Sequence, residues 1–278
     1  MPYKHPKISY GLPTDSSPKE LVKEYVEDLI MALDLTRKPV GVKLIFTEED
    51  YNACNAPEVK GKIPYCCMVE RATRGRHIKS KLEHHNCDGA TTALALEDST
   101  ERIESGLEYF SYNLYSTPAT ARRMREQIVS LHRTGVKTCG VLVAPLAEMD
   151  VFPDVIILVV NPYQTMRVVQ GYVYQYGKKP ALNYGAMQAV CSEATVVPYM
   201  TGELNISCLC PSTRLLARWG DEEAVVGLPY EHLQHTVEGV IATINSTDVK
   251  RRKEEIIERF KQKGKELPLD LNSDYEGE

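Results

Sequence analysis

The chain lacks any apolar run long enough to cross a membrane. Its longest, Val155-Ile156-Ile157-Leu158-Val159-Val160, falls far short of the roughly 20 residues that a transmembrane helix needs. It also lacks an excess of positive charge: the formal net charge is −5, which removes the overall electrostatic footprint of a nucleic-acid binder. No G-x-G-x-x-G or G-x-x-x-x-G-K-[ST] loop is present to cradle a nucleotide phosphate. No basic and then apolar N-terminal stretch reads as a secretion signal, so the expected compartment is the cytoplasm, where structural disulfides are rare. Close zinc knuckles are missing too, since only Cys66-Cys67 and Cys208-Leu209-Cys210 lie near each other and neither has C-x₂₋₄-C spacing.

Against those absences stand eight cysteines. Cys66 and Cys67 sit just before an amphipathic stretch, and Cys87 opens Cys87-Asp88-Gly89-Ala90. Cys191 ends a helical pattern, and Cys210 opens Cys210-Pro211-Ser212-Thr213. Thiolates at helix starts are stabilised by the positive end of the helix dipole and by free backbone N–H groups. Widely separated single thiolates, gathered by the fold, suit a soft-metal site of the iron–sulfur type better than a zinc site, although no compact ferredoxin spacing is present. Cys54 and Cys139 read as small packing hydrophobes. Arg71, Arg74, Arg76, His77, Lys79 and Lys81 crowd the segment before Cys87. Such a run is either a solvated face or a set of cations offsetting an anionic cluster, substrate or redox partner.

At 278 residues and 43% apolar composition the chain has material for a sizeable core, in one large domain or two closely packed ones. Ser17-Pro18-Lys19-Glu20 is a capping box leading into Leu21, Val22, Tyr25, Val26, Leu29, Ile30 and Leu33 at helical spacing. Val40 to Phe46, Cys139 to Pro145 and Asp154 to Val160 read as strands, the last apolar on both faces as a central strand should be. Shorter strands are expected at Thr195 to Pro198, Leu204 to Leu209 and Ala224 to Gly227. Helices are expected from Thr117-Pro118 to about Thr134-Gly135, through Met166, Val169, Val173 and Tyr176, and at Ser212 to Arg218, Tyr230 to Ile244 and Val249 to Lys263. This alternation predicts an α/β fold with a central, mostly covered β-sheet and flanking helices. The expected layout is an N-terminal segment (1–17), an α/β domain (18–247) with two faintly echoing halves (18–137 and 138–247), and a C-terminal helix with a disordered acidic tail (248–278).

Lys38-Pro39-Val40-Gly41-Val42-Lys43-Leu44, Cys66 with Ala72 and Gly75 beyond it, and Cys87-Asp88-Gly89-Ala90 with Leu94-Ala95-Leu96 form one group of motifs. Ala144-Pro145-Leu146, Pro153-Asp154-Val155, Asn161-Pro162-Tyr163-Gln164-Thr165-Met166, Cys191, Cys210-Pro211-Ser212-Thr213-Arg214 and Gly227-Leu228-Pro229 form another. In combination, over about residues 20 to 245, the chain resembles the uncharacterised domain-of-unknown-function 169 family. It departs where the family often has Cys-Pro-Gly-Gly. The resemblance implies a set of cysteine positions, matched here by Cys66, Cys87, Cys191 and Cys210, suited to an oxygen-sensitive cluster of the 4Fe-4S type. Cys67 is an alternate for Cys66, and Cys208 is a second alternate.

Three readings follow. Four thiolate ligands would close the coordination and leave electron transfer or a structural role. Three would leave an iron open as a Lewis acid on a small-molecule substrate, in a lyase, a desulfurase or a reductase. His84, His85, Glu193 and Arg214 are the acid/base and anchoring candidates beside the cysteines, Arg214 for its planar fork. The third reading has no metal: a tyrosine-lined cleft binds a small molecule and the thiols merely pack. A homo-oligomer joined through apolar helix faces is expected in each case.

Overall fold

The computed structural model describes residues 18–175 and 177–271. The N-terminal segment 1–17, with Ser17 of the capping box, Tyr176, and residues 272–278 of the acidic tail lie outside the described residues. The strands are β1 (Val40–Ile45), β2 (Ile78–Ser80), β3 (Gly140–Pro145), β4 (Val155–Val160), β5 (Asn205–Ser207) and β6 (Ala224–Pro229). The helices are α1 (Pro18–Leu33), α2 (Glu48–Ala53), α3 (Tyr65–Thr73), α4 (Asp88–Ala93), α5 (Glu101–Glu104), α6 (Leu107–Ser111) and α7 (Pro118–Gln127). They continue with α8 (Pro162–Tyr174), α9 (Val197–Thr201), α10 (Pro211–Leu216), α11 (Leu233–Ala242), α12 (Ile244–Thr247) and α13 (Lys250–Lys261). The α/β class expected from the alternation is what the chain adopts.

Two compact units divide the chain, and the cut differs from the echoing halves. The larger unit spans 37–165 and 180–230 and holds the whole sheet, in the order β2-β3-β1-β4-β6-β5 with every pairing antiparallel. β4 is buried along its full length, as its unbroken Val/Ile/Leu sequence requires. Alternate residues Val40, Val42 and Leu44, Val141 and Val143, and Val155, Ile157 and Val159 point to one face. That face packs against Tyr65, Met68 and Val69 of α3, Ala90 and Ala93 of α4, and the segment 189–196.

The segment 189–196 corrects the sequence reading. Thr195 to Pro198 was expected as a strand from its β-branched residues, and Cys191 as the end of a helix. Residues Ala189–Val196 instead form a π-helical turn that continues into α9. All eight are buried, and the Glu193 N–H reaches back five residues to the Gln188 carbonyl. Burial on all sides overrides the β preference of Thr195, Val196 and Val197, and wide π turns of this kind collect at functional sites.

The helix expected from Thr117 to Thr134 is also interrupted. α7 is capped by the Thr117 hydroxyl and stops at Gln127, with Ile128 extended, before one tight turn at Leu131–Thr134. The extended stretch has other partners: the Val129 carbonyl accepts from Ser192 Oγ at 2.6 Å, and Ser130 Oγ donates to the Thr92 carbonyl at 3.0 Å.

The smaller unit contains the described part of 1–36, 166–179 and the described part of 231–278. α1 lies along α11 and α13. Gly171 meets Gly239 so closely that a Cβ on Gly171 would stand 2.4 Å from the Thr236 carbonyl oxygen. Arg167, almost fully buried, donates to Thr243 Oγ1 and the Val240 carbonyl, both at 2.7 Å, and pairs with Asp248. At the start of the acidic tail, Asp270 donates from its backbone to Asn245 Oδ1 at 2.9 Å, and its carbonyl accepts from Lys253 Nζ at 3.0 Å. Among the described residues no helix is long and apolar enough to cross a membrane.

Candidate functional site

Four short stretches of backbone each deliver one thiol to the same place. Cys87 is the N-cap of α4, where its carbonyl accepts the Ala90 and Thr91 N–H groups at 2.9 and 3.1 Å. Cys210 is the N-cap of α10, with Pro211 at the first helical position. Cys66 lies in the first turn of α3, entered through Pro64, and Cys191 lies in the first turn of the π segment. Leu209 and Gln188 approach these cysteines with φ of +75° and +53°. Side chains rarely adopt that left-handed backbone, and it concentrates where a fold holds a site in shape.

The four thiols line one cavity of about 580 Å³. Burial, with the neighbouring Cys87 and Cys210, pushes the Cys191 thiol up, and burial followed by Cys210 does the same to Cys87. Cys66 is pushed up first by donating to Cys67 and then by its burial, while Cys67, accepting, is pushed down. Backbone N–H groups of Gly89 and Ala90 face the Cys87 sulfur and that of Ser192 faces Cys191, all favouring thiolate. Thr213 Oγ1 lies 3.1 Å from the Cys210 sulfur. No lysine, arginine or histidine is among the lining residues; the acids are Asp88 and Glu108. Among the described residues no group of three or more His, Cys, Asp or Glu is drawn together as the ligand set of a metal ion. The thiols surround a volume instead.

The other sequence candidates are placed elsewhere. Cys67 does not line the cavity, and Cys208 is exposed beside Tyr184. Arg214 is spent on backbone, donating to the carbonyls of Cys208 at 3.1 Å, Glu223 at 2.8 Å and Gly220, so its fork closes the loop after α10 rather than facing a ligand. Glu193 is buried and pushed up by that burial; it accepts from the Gly185 N–H at 2.7 Å and from Ser207 Oγ, pinning the loop before the π segment. His85 is buried against Ser80 Oγ at 3.0 Å, and burial, then His84, pushes its ionisation down to about 4. His84 accepts the Lys81 N–H through Nδ1 at 3.0 Å. Cys54 is half-buried away from the cavity, and Cys139 donates to Glu48 Oε1 at 3.0 Å.

Half of the basic run is matched to nearby carboxylates. Arg74 pairs with Glu70 at 2.6 Å, His77 with Glu148 at 3.0 Å and Lys81 with Glu48 at 2.6 Å. Lys79 Nζ stands over the Tyr51 ring and donates to two carbonyls. None of these groups lines the cavity.

Three lining residues, Tyr65, Tyr109 and Gln188, carried no sequence signal. Tyr109, on α6, is packed with Ile128 and Met187, and its hydroxyl accepts from Gln188 Nε2. Burial pushes its ionisation up, so it stays a neutral phenol. Tyr65, fully buried, shares a 3.1 Å hydrogen bond with Thr195 Oγ1. A lone glutamine or tyrosine fits no motif, and only the left-handed turn at Gln188 brings it in.

No solved structure matches the chain significantly. An uncharacterized protein of Methanocaldococcus jannaschii is 24% identical over 225 residues, covering 79% of this chain and 93% of that protein. Residues 28–239 match the DUF169 family, described as an uncharacterised ArCR family, and that span takes in all four cavity cysteines. The chain belongs to the DUF169 family.

Proposed function

We propose that this chain is a cysteine-ligated iron–sulfur protein in which Cys66, Cys87, Cys191 and Cys210 hold a 4Fe-4S cluster in the cavity. One observation carries the reading: four cysteines line one shared, partly open cavity that no cationic side chain lines. Thiols so placed stay protonated on their own, because each further thiolate adds a like charge at low dielectric. Metal cations bind thiolates and supply the missing positive charge. A set of four soft thiolate donors around one cavity is the donor chemistry that iron–sulfur clusters take.

When bound, such a cluster supplies electron transfer if all four thiolates ligate, or a Lewis-acidic iron if one position is left to a small molecule. The chain's own part is orientation and hydrogen bonding. α4 and α10 aim Cys87 and Cys210 from their N-caps, backbone N–H groups face the sulfurs of Cys87 and Cys191, and the Thr213 hydroxyl faces Cys210. The reading includes a cytoplasmic homo-oligomer acting on a small molecule or redox partner. Light scattering checks the oligomer.

The test is anaerobic purification with iron and acid-labile sulfide analysis of the wild type and serine variants. Ser at Cys66, Cys87, Cys191 or Cys210 should lower bound iron sharply, because a poorly ionised hydroxyl replaces a thiolate. Cys139→Ser, hydrogen-bonded to Glu48 away from the cavity, should keep it. Iron-free wild type after anaerobic reconstitution, or equal loss in Cys139→Ser, overturns the reading.

A further inference from the structure

Gln188 has features that ligation by cysteine does not explain. It is 6% exposed, lines the cavity, and holds a left-handed backbone with φ of +53°. Its Nε2 donates to the Tyr109 hydroxyl, while its Oε1 has no hydrogen-bond partner. A buried amide oxygen left unpaired is destabilising, and native proteins satisfy nearly all such groups. Tyr109, accepting from Gln188, keeps its own proton as a donor. The pair stands hard against the turn after Cys87: a Cβ on Gly89 would lie 3.0 Å from Gln188 Nε2 and 3.1 Å from the Tyr109 oxygen. An acceptor and a donor therefore adjoin each other beside the cysteines.

The remaining lining narrows what can meet them. With no lysine, arginine or histidine, and with Asp88 and Glu108 as its charged members, the cavity offers no cationic side chain to pair a carboxylate or phosphate. Leu114, Met187 and Leu215 offer an apolar wall.

We propose that the cavity binds a small uncharged organic molecule through a hydroxyl or amide group that donates to Gln188 Oε1 and accepts from Tyr109, with its apolar body against Leu114, Met187 and Leu215. The inference deepens the reading of the same cavity and does not require bound iron. A site built around a hydrogen-bonding group rejects an analogue that lacks it, because its own polar atoms are then left unpaired.

The test titrates the full-length chain, as purified anaerobically, with benzyl alcohol, benzyl methyl ether and benzoate by ligand-observed NMR, with iron measured on the same sample. Benzyl alcohol should bind about tenfold more tightly than the ether, one hydrogen bond's worth, and benzoate more weakly than either. Gln188→Met should remove the preference for the alcohol, and Tyr109→Phe, which deletes the donor that both the alcohol and the ether oxygen accept from, should weaken the binding of both. Equal binding of alcohol and ether, binding of benzoate at least as tight, a preference that survives Gln188→Met, or no binding of any probe at millimolar concentration overturns the proposal. Iron-free protein that prefers the alcohol sinks the iron–sulfur reading alone, and iron-loaded protein without the preference sinks this one alone.

Discussion

Thr213 Oγ1 and the sulfur of Cys210 lie 3.1 Å apart, inside the first turn of α10, with Thr213 fully buried. When Cys210 is a thiolate, that hydroxyl is a hydrogen-bond donor to the sulfur, and such bonds draw electron density from a metal ligand.

If the cavity holds the proposed cluster, Thr213→Val should therefore make its reduction potential more negative, and Thr213→Ser should restore it. The expected size is tens of millivolts, because a hydrogen bond to a charged group is worth about 1.5 kcal/mol and tenfold in a one-electron couple is about 59 mV. A potentiometric titration that leaves the valine variant unchanged removes Thr213 from any part in tuning the site.

How much of this was legible in the sequence follows from what each residue's neighbours decide. β1, β3 and β4 were readable because their burial pattern is written in runs of Val, Ile and Leu, and α1 because its apolar residues repeat at helical spacing. The same logic failed at Thr195 to Pro198, where β-branched residues sit in a π turn buried on every side. The four cysteines stood out as residue types. That Arg214 spends its fork on the carbonyls of Cys208, Gly220 and Glu223 is a matter of loop path, which no local pattern encodes. Gln188 and Tyr109 were invisible for the same reason: they are 79 positions apart and meet only in the fold.

A second prediction concerns the bracing behind Tyr109. Arg125 on α7 is fully buried at its side chain and pairs with Glu104 on α5 at 2.5 Å, and Arg133 pairs with the same carboxylate at 2.8 Å. Glu104→Gln leaves the Arg125 guanidinium buried without its counter-charge and should cost about 3 kcal/mol of unfolding free energy. Adding Arg125→Met to that variant should recover most of the loss, because it removes the uncompensated buried charge itself. Chemical denaturation that shows the single variant unchanged refutes the bracing.

The same carboxylate sets an acid limb. Burial pushes Glu104 up, but the nearby Ser99 hydroxyl, the hydrogen bond from Arg133 and the charge of Arg125 outweigh it and hold the group below its ordinary 4.5. With the folded value depressed, the unfolded chain binds more protons just below pH 4.5. Glu104's contribution is thus present above that pH and lost as pH falls through the folded value. Denaturation midpoints measured down this limb should fall less steeply in Glu104→Gln than in wild type.

The last prediction separates stability from recognition at Gly89. The residue sits in the first turn of α4 without a positive φ, so alanine suits its backbone and should gain up to about 1 kcal/mol of helix propensity. The new Cβ, however, would meet Gln188 Nε2 at 3.0 Å and the Tyr109 oxygen at 3.1 Å, closer than such contacts normally come, and both are side-chain atoms that must give way. Helix propensity and the cost of moving that pair oppose each other, so Gly89→Ala should unfold within about 1 kcal/mol of wild type. The displaced pair should nonetheless lose most of the preference for benzyl alcohol over its methyl ether. Calorimetry alongside the NMR titration reads both quantities. A variant that keeps the full preference would show that the amide and phenol do not need their observed placement against the Cys87 turn.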